Sequence, residues 1–140
     1  MDQLEQAKEI LFQRNCTCVL CRGAQMLTDT RRGVRPLLDW LDSGLDLSGA
    51  GAADKVVGKA AAMLYCLLEI RAVYAGVLSQ PALEVLQSHG IETTFGRLVP
   101  FIENRDKTGL CPMEEATLPL SEPADAPAAI REKLRQLLHK

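Results

Sequence analysis

Hydrophobic and polar positions recur along this chain with two different periods, and the switches between them mark its elements. Leu4, Ala7, Ile10 and Leu11 repeat at helical spacing behind a capping-box-like Asp2 and Glu5, so a helix is expected through about Arg14. Cys16–Cys21 and Ala24–Asp29 read as the two strands of a hairpin turning at Arg22-Gly23. A basic turn, Thr30–Gly33, leads to a helix that Pro36 opens and Gly44 ends, with Leu37, Leu38, Trp40 and Leu41 inward. The stretch Gly49–Leu68 starts as a Gly/Ala loop and is expected to become the most apolar helix of the chain. Asp54 is its expected N-cap, with Val56, Val57, Ala60, Ala61, Leu64, Leu67 and Leu68 as the buried stripe. Gly58 and Ala61 are expected where no larger side chain fits.

Beyond that helix, Ala72–Leu78 is a continuous apolar run of strand length, the mark of a strand buried on both faces. Ser79-Gln80-Pro81 starts a helix to about His89, closed by Gly90. Ile91–Phe95 reads as a strand and Leu98–Ile102 as a separate apolar segment; Asn104–Leu110 is a polar loop. Cys111-Pro112-Met113-Glu114 opens a short helix, and a Pro-rich link at Ser121–Pro127 precedes a final helix carrying Ile130, Leu134, Leu137 and Leu138. A hairpin followed by helix–strand alternation argues for an α/β three-layer sandwich with a mixed sheet between helices.

The 140 residues suit one domain, 1–140, and a net charge of −2 without a basic block argues against nucleic acid. No apolar run is long enough to cross a bilayer, so no membrane partner is expected. Five cysteines, an odd number, behind an acidic N-terminus unlike a signal peptide point to reduced thiols and a cytoplasmic protein.

The sequence offers few chemical motifs. Gly58-Lys59 lacks the Gly and the Ser or Thr that a phosphate loop needs, since Ala stands at positions 53 and 60. Cys18-x-x-Cys21 has zinc-like spacing but no second pair, so no metal and no cofactor are expected there. Lys55 and Lys59, four apart on the predicted helix, make sense together if an anion, or Asp and Glu side chains from elsewhere in the chain, visit that corner. Cys111, as N-cap before Pro112, would sit where free N–H groups favour an anion, which makes it the candidate nucleophile. Asn104, Arg105, Thr108 and Glu114 lie close to it in sequence as polar partners, and Asp54 is the candidate orienting group.

Three motifs together resemble a small uncharacterised prokaryotic family: Thr30-x-Arg32-Gly33-Val34-x-Pro36-Leu37-Leu38, Ala53–Ala60, and Asn104-Arg105-x-x-x-Gly109-x-Cys111-Pro112-Met113-Glu114. The resemblance spans nearly the whole chain. It implies a cytidine-deaminase-like fold with a site where two helix N-termini converge. The zinc-deaminase signature is absent, because Asp54-Lys55-Val56 offers no His and no placed Glu, and Glu114 stands where a second Cys would be. The expectation is therefore a deaminase-fold protein without zinc that binds a small anionic or nucleotide-like molecule at Asp54, Lys55, Lys59 and Cys111. Thiol-dependent transferase or hydrolase chemistry, a ligand-binding pseudoenzyme and a structural homo-oligomer are the three forms it could take.

Overall fold

The computed structural model describes residues 2–138. Helix α1 (Gln3–Gln13) begins at Asp2, whose carboxylate accepts from Glu5 N at 2.8 Å. Strands β1 (Cys18–Arg22) and β2 (Gln25–Asp29) form the expected hairpin, and α2 (Arg35–Asp42) returns the chain to β3 (Gly51–Val57). Then come α3 (Lys59–Leu67), β4 (Ala72–Ser79), α4 (Gln80–Ser88) and β5 (Glu92–Val99). Two further helices, α5 (Pro112–Thr117) and α6 (Ala126–Leu138), flank a single 3-10 turn at Pro123–Asp125, inside the expected Pro-rich link.

The five strands form one mixed sheet in the order β2-β1-β3-β4-β5. β1 is antiparallel to both β2 and β3, while β3, β4 and β5 run parallel. Helix α1 covers one face and closes a small core of Ala7, Leu11, Cys16, Val19, Cys21 and Ala53. The main core lies on the other face. There α3 is walled in by α2, α4, α5 and α6, so every residue from Ala60 to Tyr65 is buried. The Ala60–Ala62 run permits that enclosure, because small side chains let neighbouring elements approach on all sides. No helix among the described residues is long and apolar enough to cross a membrane.

Two sequence expectations need correction. Asp54 is not a helix cap: Gly51–Val57 is a strand, and the central helix starts only at Lys59, with Gly58 as N-cap. The segment pairs with β1 on one side and β4 on the other, and that pairing overrides its helix-like spacing. The second concerns β5, a single strand across Gly96 rather than two segments.

A step crosses the three parallel strands. Asp54, Ala75 and Phe95 are in register, and so are Val57, Leu78 and Leu98, and these two rows face the helix layer three residues apart instead of two. Between them, Lys55-Val56, Gly76-Val77 and Gly96-Arg97 turn to the opposite face. The glycines make the step possible. A Cβ on Gly76 would lie 2.7 Å from the Lys55 carbonyl oxygen, and one on Gly96 would lie 2.9 Å from the Gly76 carbonyl oxygen. Backbone cannot yield as a side-chain tip can, so Gly76→Ala is expected to cost about 1–3 kcal/mol, read as a lowered denaturation midpoint. A midpoint equal to that of the parent would show that the strands do not approach so closely at the step.

Candidate functional site

The parallel strands end at Val57, Ser79 and Val99, and their carboxyl ends run into α3, α4 and the loop that leads to α5. Crevices outside the carboxyl ends of such strands are where open α/β sheets seat ligands. Ser79 caps α4 through its hydroxyl, which accepts from Ala82 N at 3.2 Å. Gly58 has no side chain with which to cap α3. The missing acceptor comes from Glu114, whose Oε1 accepts from Lys59 N at 2.7 Å and whose Oε2 accepts from Ile102 N at 2.7 Å. This carboxylate is 1% exposed. The Lys59 ammonium turns the other way and donates to the Leu118 carbonyl at 2.8 Å.

The mouths of α3 and α5 therefore meet at Gly58 and Cys111, not at the expected Asp54 and Cys111, and the chain's own Glu114 fills the anion position at α3. Gly58 suits this position, since a Cβ would come within 3.3 Å of Glu114 Oε1 and 3.1 Å of Ile102 and would press on both side chains. Cys111 is the N-cap residue of α5 and donates its own N–H to the Ile102 carbonyl. Its half-buried thiol makes no capping bond and packs against the main core.

The other expected site residues are dispersed. Asp54 lies inside β3 and points into the main core, where Oδ2 accepts from the Tyr65 hydroxyl at 2.7 Å and Oδ1 from Val56 N at 3.3 Å. Lys55 points to the opposite face and is exposed, so it shares no helix face with Lys59. Asn104 and Thr108 bond to each other twice and close their own loop, with Arg105 exposed on its outside. Gly58-Lys59 does stand at a helix mouth after a strand, contrary to its expected place inside the helix, but it lacks the rest of a phosphate loop.

A groove that the sequence did not reveal lies beside this junction. A cavity of about 580 Å³ is lined by Gln80, Pro81, Glu84, Leu98, Val99, Pro100 and Phe101. A second, of about 330 Å³, shares Pro81 and Glu84 with it and reaches Lys59, Val85, Ser88, Leu120 and Ser121. Its apolar walls come from the end of β5 and the outer face of α4, and Glu84 stands where the two cavities meet. Glu84 belongs to no motif in the sequence that would single it out. Only the end of β5 beside it makes a cleft.

No curated protein matches the chain. Residues 6–134 match the family described as "Domain of unknown function (DUF1893)". The chain belongs to that family. A DUF1893 family protein from Thermotoga maritima, known from its crystal structure, is 24% identical and superposes with a TM-score of 0.86. That match covers 94% of this DUF1893 chain and 89% of the other. A diaminohydroxyphosphoribosylaminopyrimidine deaminase/5-amino-6-(5-phosphoribosylamino)uracil reductase of the same organism is 17% identical, with a TM-score of 0.45. That match covers 67% of this chain and 35% of the other.

The DUF1893 chain buries two carboxylates, each with a measurable consequence. Burial pushes the Asp54 carboxyl up to about 7 from 3.8, against the opposing hydrogen bonds from Tyr65 and Val56. The folded state thus holds a proton that the unfolded chain has released, and the stability this group contributes is full below pH 3.8 and lost as pH rises to about 7. The loss is on the order of 4 kcal/mol over that window. Asp54→Asn should remove this component, so the stability difference between parent and variant should change between pH 4 and 8. Parallel pH profiles would show that Asp54 ionises normally. For Glu114, Glu114→Gln leaves an amide NH₂ facing one of the two backbone N–H donors, at an expected cost of about 1–3 kcal/mol. An unchanged midpoint would mean that the carboxylate does not join Lys59 N to Ile102 N.

Proposed function

We propose that this DUF1893 protein is a cytidine-deaminase-like α/β protein that binds a nucleotide-like small molecule without turning it over. The observation that carries the reading is the closure of the α3 mouth by Glu114, both of whose oxygens are taken by backbone donors and so are not free for chemistry. The sheet order and the meeting of the α3 and α5 mouths support the deaminase-like assignment. The residues at those mouths do not suit zinc. Both Glu114 oxygens are taken by backbone donors, Lys59 brings a positive charge, and no cluster of three or more His, Cys, Asp or Glu among the described residues could hold a metal.

In this reading the ligand lies in the groove. Its flat apolar body rests on Leu98, Pro81 and Phe101, and Glu84 accepts hydrogen bonds from its polar edge. Its negative group extends into the smaller cavity toward Lys59. Asp54 and Glu114, first expected to face the ligand, stay in structural roles, and Cys111 contributes packing.

Thermal denaturation with a panel of nucleoside monophosphates, and with inorganic phosphate as control, tests the reading. A binding nucleotide at about 100 times its Kd should stabilise the protein by about 2.7 kcal/mol. Phe101→Ala and Lys59→Met should each weaken the shift, and Cys111→Ser should leave it intact. A panel that never raises the melting temperature would remove the proposal. Nucleotide consumption abolished by Cys111→Ser would replace it with an enzyme.

A further inference from the structure

Strand β5 has β4 on one side and no strand on the other. Its outer edge therefore offers unpaired backbone N–H and C=O groups along eight residues, Glu92–Val99, six of them exposed. Natural edges are blunted by Pro, by Lys, by inward charges or by a covering segment. This one has neither Pro nor Lys, and it carries Phe95 and Leu98 at 41% and 39% exposure.

We propose that the occupant of the β5 edge is β5 of a second copy of this chain, paired antiparallel about a two-fold axis perpendicular to the sheet. Charge decides the occupant. Glu92 is level with Ala72, which lies on the same face as Tyr74 and α1, and the step at Gly96-Arg97 turns Arg97 to that same face. Both are exposed, and neither joins an ion pair among the described residues. Antiparallel pairing centred on Thr94 sets Glu92 opposite the partner's Gly96-Arg97 step, and the two-fold axis repeats the pair at the other end of the strand. A parallel neighbour would set like charges level with each other. The self-complementary pattern + and − across one axis is what an isologous contact requires. Two Glu–Arg pairs, backbone bonds along the joined edge and the covered Phe95 side chain extend the five-stranded sheet to one of twice that size.

Sedimentation equilibrium of the full chain across a concentration series tests this, with Arg97→Glu, Glu92→Arg and the double variant. The parent should have about twice the 15.3 kDa mass of one chain. Each single charge reversal should raise the dimer dissociation constant about tenfold or more, because it sets like charges across the axis. The double variant, with the charges exchanged, should recover the dimer. Circular dichroism reports that the variants are folded, which these exposed positions favour. A parent that stays monomeric throughout overturns the proposal and leaves the edge to a strand of a different protein. A dimer indifferent to the single reversals, or one that the double variant does not restore, places the interface elsewhere and overturns it equally.

Discussion

One buried carboxylate joins the parts of this molecule that the chain leaves far apart. Helix α3 starts at a glycine and has no side-chain cap of its own, and its first turn packs against other elements of the chain. Glu114 answers that need from 55 residues away and with its second oxygen holds the chain just beyond β5. The bonds are charge-assisted and lie where little water screens them, so each is stronger than a neutral bond at the surface. The position of α5, the path of the loop to Cys111 and the tight space at Gly58 all follow from that attachment.

The same attachment settles what the strand ends offer to a ligand. With the α3 mouth filled from within, open space shifts to the groove between α4 and the end of β5, where Leu98, Pro100 and Phe101 face Pro81 and Glu84. The step in the sheet contributes to this groove. Because Gly76 and Gly96 admit a neighbouring carbonyl, the pleat advances by three residues and Leu98 points to the helix layer rather than away from it. Asp54 lies at the near side of the step, and its burial beside Tyr65 ties the protonation of the core to the pH of the medium.

Much of the local structure could be read directly from the chain. Asp2 with Glu5, Ser79 with Pro81, and Cys111 with Pro112 announce helix starts because capping and the fixed proline angle act within one turn. The hairpin at Gly23 and the buried run Ala72–Leu78 are local in the same sense, and so is the mixed α/β class. What sequence reading missed is strand β3 itself, Gly51–Val57, whose residues read as a loop and the first turns of the central helix. A strand buried on both faces has no alternation, and Asp54, Val57 and Ala61 fall at helical spacing by coincidence of composition.

The chain by itself thus determined the starts of α1, α4 and α5, the hairpin turn and the α/β class, since each rests on forces between near neighbours. Tertiary structure alone decided that Asp54 faces Tyr65, that Lys55 and Lys59 part to different surfaces, and that Glu114 turns inward. It also decided that β5 runs unbroken through Gly96, because that glycine answers a carbonyl on β4 rather than a turn of its own strand. The reason is common to all four: a buried polar group or a close backbone contact is satisfied by whatever the fold brings to it, and that partner has no fixed distance along the sequence.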